Sequence, residues 1–424
     1  MLTVLALTLF IFLFSSMPIF VALTFSSLIA IMFFTNIPPM IMVQRLFGGM
    51  DKFALMSLPF FILAADLMDF GGLSERILRW ARILVGHLHG GLGMATQVAC
   101  MFFGALSGSS PATVIAVGKL MYPELVKQKY PGKFATGLIV SSGSVALLIP
   151  PSITLIIYAT VTGVSVSSLF LAGIGAGLVY GLASLVYIYF FARKHNLPRD
   201  KRASFKELLT ATKDASWSLM IPVIILGGIY LGILTPTEAA GFSAIYAMFV
   251  GLVVYKELNL KRLATVCIKS ATTSAQVLIV VAAAQAFGWI LTVGQVPQML
   301  AQSIISYAST PIAFLLLVNI ILLIAGMFMD GVASIIILAP LLYPLANKLG
   351  IDPVHFGVVV VTNLCIGQFT PPFGLNLFVA NGITGLPIGK LSSGVLSFVL
   401  VSIIALLLIT YIPEISLFLP NLAY

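Results

Sequence analysis

Two Pro-Pro pairs, Pro150-Pro151 and Pro371-Pro372, stand inside apolar stretches and carry the strongest chemical signal in this chain. A proline pair removes two backbone N–H donors and turns the residues before it out of a helix. Ser141-Ser-Gly-Ser144 through Pro151, and Asn363 through Pro372, therefore present bare carbonyl oxygens. In lipid each unpartnered backbone group costs several kcal/mol. A hard cation such as sodium, with about six oxygen ligands, suits such carbonyls. For either pair alone the structural alternative is a kink healed by nearby hydroxyls or water.

Upstream of each pair lies a second break. The first is Gly104-Ala-Leu-Ser-Gly-Ser-Ser-Pro-Ala-Thr113, with the hydroxyls of Ser107, Ser109, Ser110 and Thr113. Hydroxyls ligate sodium or donate to a carboxylate, although a single serine between helices more often serves close packing. The second is Gly326-Met-Phe-Met-Asp-Gly-Val-Ala-Ser334, which carries Asp330. An ionisable group at membrane depth is functional by default, and an aspartate there also suits a helix N-cap. Thr154, Asn376 and Asn381 follow the proline pairs, where they line a cavity or bond between helices. Asp66 and Asp69, near a span end, read as interfacial. Glu238, in the turn Thr235-Pro-Thr-Glu238, reads as a cap. His87, His89, His195 and His355 receive no role.

The elements that must position these groups come in two copies. The proline pairs are 221 residues apart, as are Tyr122-Pro123 and Tyr343-Pro344. The chain of 424 residues is 60% hydrophobic and 8% charged, with a mean hydropathy of +1.12. That composition specifies a polytopic helical membrane protein and excludes a soluble domain. Porin-like barrels alternate apolar and polar residues, and these runs do not. The net charge of +9 lies mostly between apolar runs, where it sets topology and does not indicate nucleic-acid binding. The basic loop 193–215 is expected in the cytoplasm and divides the repeats. Basic residues flank 92–118 on both sides, which predicts a re-entrant hairpin centred on Gly-Ser-Ser-Pro. Five expected spans separate it from the second hairpin, and 294–347 holds no Lys or Arg. An odd count inverts the second repeat.

The expected fold is thus an all-α polytopic membrane protein with an inverted-topology repeat, two re-entrant helical hairpins and two broken helices. Paired broken helices at matching positions are the pattern of a secondary transporter. The boundaries read as scaffold spans 1–73, an arm helix 74–91, and a unit 92–192 with hairpin 92–118 and broken helix 134–158. After the loop 193–215 come scaffold spans 216–293, an arm helix 294–310, and a unit 311–412 with hairpin 311–346 and broken helix 355–380. A tail, 413–424, ends the chain. The reading has about ten full spans and both termini outside. The first apolar segment has no Lys or Arg before it and reads as a retained span, not a signal peptide. Cys100, Cys267 and Cys365 have neither disulfide nor metal spacing. No P-loop, dinucleotide fingerprint, His/Glu metal motif or G-x-S-x-G elbow occurs, so ATP use and hydrolytic chemistry lack support, and no enzyme activity is expected.

Several motifs in order resemble the large membrane subunit of tripartite ATP-independent periplasmic (TRAP) transporters. They are Ser57-Leu-Pro-Phe-Phe-Ile-Leu-Ala-Ala65, the Gly104–Thr113 break, Leu148-Ile-Pro-Pro-Ser152, Thr235-Pro-Thr-Glu-Ala-Ala240 and Gln368-Phe-Thr-Pro-Pro-Phe-Gly374. The resemblance covers essentially the whole chain and as a whole is most like the sialic-acid members, with no single motif responsible. It implies an elevator-type importer of an organic acid in the bacterial inner membrane, coupled to Na+. It also implies two separate partners, a small membrane subunit (Q type) and a periplasmic substrate-binding protein (P type). By motif position it implies a first sodium site of Ser107, Ser110, Ala146, Leu148 and Pro151. A second would use Gly331, Gly367, Thr370 and Pro372, and Ser109, Thr154 and Asp330 would bind substrate. The family often has Gly where Ala146 stands, and a carbonyl ligand survives that change. A C4-dicarboxylate importer and a stand-alone sodium–dicarboxylate symporter are the alternatives. A channel is disfavoured by two opposed broken hairpins, and a membrane enzyme by the missing catalytic cluster.

Overall fold

The computed structural model describes residues 1–15, 17–296, 299 and 310–423. Among them every regular element is helical. The first half comprises α1 (Leu2–Phe14), α2 (Ile19–Phe34), α3 (Met40–Met50), α4 (Ser57–Phe70), α5 (Leu73–Val85), α6 (Gly91–Ser107), α7 (Ser110–Lys127), α8 (Gly132–Ser144), α9 (Ile153–Thr162) and α10 (Val166–Lys194). The second comprises α11 (Phe205–Tyr230), α12 (Pro236–Phe249), α13 (Leu260–Val293), α14 (Pro311–Phe328), α15 (Gly331–Lys348), α16 (Pro353–Gly367), α17 (Leu375–Thr384), α18 (Ile388–Tyr411) and α19 (Glu414–Ala423). Among the described residues, 8 helical stretches are long and apolar enough to cross a membrane. The expected ten spans include two that are each built from two shorter helices.

The element order repeats. Helices α6 to α10 recur as α14 to α18, and a shift of 221 residues brings the bounds of α7 onto those of α15. The same shift sets α3 and α4 together against the single 34-residue α13, about 51 Å long at 1.5 Å per residue. Asp51-Lys52 interrupts the first copy only.

Local chemistry explains the breaks. Gly108 turns the first hairpin with φ 57°, and the extended Ser109 starts α7. At the second tip Asp330 caps α15, accepting from the amides of Val332 (2.7 Å) and Ala333 (3.2 Å). Both Pro-Pro bonds are cis, and the Ser152 side chain caps α9 just beyond the first. Thr235 and Glu238 form a reciprocal capping box at the start of α12, as the turn predicted.

The repeats pack crosswise. Helix α9 lies on α15, and α17 lies on α7. The Asn376 amide ties α17 to the first hairpin, donating to Ser110 Oγ (2.7 Å) and to the Val140 carbonyl (3.1 Å). Each outer hairpin limb meets a break backbone to backbone. A Cβ on Gly104 would stand 2.7 Å from Ala146 Cα, and one on Gly367 would stand 2.5 Å from Gly326 Cα.

Helix α5 is an amphipathic arm that buries Leu73, Ile77 and Ala81. Its outer face pairs Arg76 with Glu257 (2.7 Å), Arg79 with Asp214 (3.4 Å) and Arg82 with Asp200 (3.0 Å). The hydrogen bond to Asp200 pushes the Arg82 pKa up, against the opposing effect of desolvation. These pairs gather the arm, the inter-repeat connection and the residues before α13 at one basic end, which the positive-inside rule assigns to the cytoplasm.

Some boundaries differ from the expected ones. The loop 193–215 shortens, because α10 runs to Lys194 and a Ser204–Glu207 capping box starts α11 at Phe205. Lys and Arg side chains extend from helix ends at little cost, so basic residues did not mark the helix limits. The basic residues Lys261, Arg262 and Lys269 lie within α13 itself. The tail 413–424 contains α19, whose Ile415 carbonyl would stand 2.1 Å from a Cβ on Gly175 of α10. Most of the expected arm 294–310 lies outside the described residues.

The close backbone contact is testable. Gly367→Val is expected to destabilise the protein by about 1–3 kcal/mol through overpacking. Gly382→Ala, with no atom near its added Cβ, is expected to leave the melting temperature unchanged or raised. Thermal unfolding in detergent reads both.

Candidate functional site

A cavity of about 420 Å³ lies where the two hairpin tips meet the two breaks. Ser107, Ser109, Thr154, Asp330, Gly331 and Gln368 line its depth. Asp66, Asp69, Lys269 and Thr273 line its mouth, toward the basic end.

Four helix N-termini converge here. Ser109 precedes α7, Ile153 opens α9, Gly331 opens α15 and Leu375 opens α17, and all four residues line the cavity. Each N-terminus has unpaired N–H groups and a partial positive charge of about half an electron, which favours an anion. The C-terminal residues of α6 and of the turn Val145–Leu147, Ser107 and Leu147, also line it, as does Gln368 just after α16. Their carbonyl ends carry the opposite partial charge and favour a cation.

The expected first-site residues are partly brought together. Ser107 Oγ lies 2.8 Å from Thr113 Oγ1 and accepts from the Ser109 amide at 3.3 Å. Ala146 abuts Gly104, and the Pro151 carbonyl would stand 2.7 Å from a Cβ on Gly108. Ser110 is buried and hydrogen-bonded to Asn376. The Leu148 carbonyl would stand 2.6 Å from a Cβ on Gly173, so it lies against α10.

At the second set, a Cβ on Gly331 would meet Gln368 Nε2 at 3.5 Å and Thr154 Cγ2 at 3.4 Å. Gly367 is packed on Gly326. Thr370 Oγ1 donates to the Ile366 carbonyl at 2.6 Å. Pro372 is exposed, whereas its counterpart Pro151 is buried.

Among the substrate candidates, Ser109 is half-buried at the cavity wall. The Thr154 hydroxyl is engaged with the Leu147 carbonyl (2.9 Å) and with Ser152 Oγ (2.7 Å). Asp330 lines the cavity, and its carboxylate caps α15 through the amides of Val332 and Ala333. Of the following asparagines, Asn376 holds Ser110, and Asn381 holds the Leu386 carbonyl at 2.8 Å, away from the cavity.

Sequence reasoning missed Gln368. It is buried in the cavity wall and its Oε1 has no partner, which marks a place for a donor or a cation. The signal was its place directly before the second break. Asp66 was read as interfacial, but it stands at the cavity mouth with Lys269 Nζ at 2.6 Å and Ser270 Oγ at 2.7 Å. His355 is buried and bonded to Ser416 and the Thr410 carbonyl, an anchor for α19.

Among the described residues no group of three His, Cys, Asp or Glu side chains could hold a metal ion. The donors at the breaks are carbonyl, hydroxyl and amide oxygens, a hard set that fits an alkali cation and not a transition metal.

The family model for the DctM component of tripartite ATP-independent periplasmic transporters matches residues 6–415. The C4-dicarboxylate TRAP transporter large permease protein of Pseudomonas aeruginosa is 44% identical over 377 residues, 89% of this chain and 88% of its own. The sialic acid TRAP transporter large permease protein of Vibrio cholerae is 39% identical over 410 residues, 97% of this chain and 96% of its own. An isethionate TRAP transporter permease protein of Oleidesulfovibrio alaskensis, DctMQ, is 41% identical across 96% of this chain and 64% of its own. The crystal structure of the Alcanivorax borkumensis YdaH transporter shares the fold, with a TM-score of 0.63 over 88% of both chains at 16% identity. The chain belongs to the DctM family, the large membrane permeases of TRAP transporters.

Proposed function

We propose that this permease is a sodium-coupled importer of a small organic anion that works by an elevator movement. The observation that carries this reading is the convergence of four helix N-termini and three carbonyl-bearing chain ends on one cavity. The N-termini, with Ser109 and Gln368, suit a carboxylate. The carbonyl ends, with Ser107, Ser110, Gly331, Gly367 and Thr370, suit sodium. Opposite charges held side by side at low dielectric favour each other's binding, which is the physical basis of coupling. Sodium also offsets the Asp330 charge, which otherwise opposes an anion at the α15 N-terminus.

The elevator reading has its own support. The hairpins and broken helices, α6 to α9 and α14 to α17, interlock across the repeats, while α3, α4, α12 and α13 pack among themselves. The cavity lies at the seam and opens toward the basic end, as an inward-facing carrier requires. Sliding the interlocked group along the seam would move the site without opening a pore. A small membrane subunit and a periplasmic binding protein complete the tripartite assembly, as separate polypeptides.

The substrate is proposed as a C4-dicarboxylate ahead of N-acetylneuraminate. Relatives named for the former reach 44% and 42% identity, against 39% for the relative named for sialic acid. Proteoliposomes containing the chain and its small partner, given binding protein and an inward sodium gradient, should accumulate labelled succinate. Accumulation of N-acetylneuraminate alone would reverse the substrate order. Uptake without sodium would refute the coupling.

Two substitutions test the site. Asp330→Ala should lower uptake at least about tenfold while costing about 1 kcal/mol as a lost cap. Asp330→Asn keeps the cap, so normal uptake by that variant would reduce Asp330 to a structural role. Ser107→Ala with Ser110→Ala should raise the half-saturating sodium concentration at least about tenfold, the 1.4 kcal/mol expected of one lost oxygen contact. An unchanged sodium response in inserted protein rules out these hydroxyls as ligands.

A further inference from the structure

On the far side of the seam lies a second cavity, of about 700 Å³. Its walls are α3 and the Lys52 connection, the C-terminal half of α13, the end of α9 and the middle of α15. The chemistry-bearing side chains are Gln44, Arg45, Lys52, Gln285 and Trp289, and among the described residues no Asp or Glu lines it. It is separated from the inner cavity along shared helices. Thr154 lines the inner cavity and Val161 the outer, seven residues further along α9, or about 10 Å.

The two cavities are related by the repeat. Shifted by 221 residues, Ile115 and Thr273 of the inner cavity correspond to Ile336 and Lys52 of the outer. Both cavities are lined by the same two segments, the α3–α4 stretch and its counterpart α13, used in exchanged roles. Their charges are opposed. Asp66, Asp69 and Asp330 outnumber Lys269 in the inner cavity, and Lys269 is already bonded to Asp66. Among the described residues, Arg45 and Lys52 of the outer cavity have no carboxylate partner. Arg45 stacks its guanidinium 5.2 Å from the Trp289 ring centroid, and Lys52 Nζ donates to the Thr160 carbonyl at 2.6 Å. A carboxylate is a stronger acceptor for both than a ring face or a neutral carbonyl.

We propose that this outer cavity is a capture site for the organic anion, in which Arg45 and Lys52 bind a carboxylate beside Trp289 before the anion reaches the deep site. That order of events rests on the importer reading. The binding of a carboxylate rests on the cavity alone. Because two cationic side chains supply the attraction, capture does not require sodium, unlike binding at the breaks. Repeat symmetry supplies the two cavities, and their side chains have diverged: the outer one carries Arg45 and Lys52, and the mouth of the inner one carries Asp66 and Asp69.

The test uses the full chain with its small membrane partner in phosphatidylcholine nanodiscs, so that no anionic lipid competes. Trp80→Phe and Trp217→Phe leave Trp289 as the single tryptophan. Succinate titration should change Trp289 fluorescence saturably, equally with and without sodium. Arg45→Gln with Lys52→Gln should weaken that binding at least tenfold, while Arg45→Lys with Lys52→Arg should retain most of it. In vesicles the Gln pair should raise KM for uptake at least tenfold at low salt and leave the maximal rate within twofold. The KM difference should shrink as salt screens the two charges. No saturable signal, a signal that needs sodium, or one that survives the Gln pair would overturn the proposal. A saturable Arg45- and Lys52-dependent signal in a protein that transports nothing would uphold the site and overturn the importer reading.

Discussion

Everything in this protein depends on the cost of an unsatisfied backbone group in lipid. A continuous helix avoids that cost, and most of the chain does so. Around the inner cavity it is interrupted at four places: the two hairpin tips and the two proline breaks. Those breaks persist because protein groups supply what the helix has lost. Asp330 satisfies the start of α15, the Ser152 and Thr154 hydroxyls satisfy the Leu147 carbonyl, and the Gly374 amide satisfies the Met327 carbonyl. The groups left over face a cavity shared by all four breaks. The cavity is therefore a consequence of where the helices are interrupted.

The interlocking of the repeats follows from the same constraint. A hairpin tip cannot remain in lipid, so each must be covered by something polar and small. Gly104 against Ala146 and Gly326 against Gly367 let the hairpin limbs approach the breaks at backbone contact. Such contacts between small residues bring backbones close enough for dispersion to act, which matters where no hydrophobic effect drives helix association. Asn376 then joins Ser110 across the two copies. Neither half of the cavity is complete alone.

Much of this was legible in the sequence because prolines and glycines report backbone constraints directly. Pro150-Pro151 and Pro371-Pro372 located the breaks, and the Gly-Ser-Ser-Pro run located a tip, since few other conformations tolerate those residues in an apolar run. Side-chain partnerships were not legible. Nothing in the spacing showed that Ser110 faces Asn376, that the Leu148 carbonyl lies against Gly173, or that Asp66 meets Lys269 some 200 residues away. Helix ends among basic residues were equally hidden, because a long charged side chain reaches water from inside a helix as readily as from a loop. Gln368 escaped notice because an amide is common in any polar connection. Only its burial and its partnerless oxygen mark it out.

The duplication also limits what each half can do. Two copies of one unit would give two seam cavities of like chemistry, and a carrier so built would treat its two sides alike. The copies have diverged where it matters. Lys52 interrupts α3 from α4 in the first repeat, and the corresponding position in the second is Thr273 within an unbroken α13. Asp66 and Asp69 line one mouth, while Gln285 and Trp289 line the other. Fixed charge at a mouth changes how fast an anion arrives or leaves, and it cannot change the equilibrium across the membrane. Direction must come from a source of free energy other than these fixed charges, which set only how well each side of the cycle keeps pace with it. Divergence of the lining side chains with retention of the interlocked core is therefore the combination expected of a symmetric scaffold adapted to one-way work.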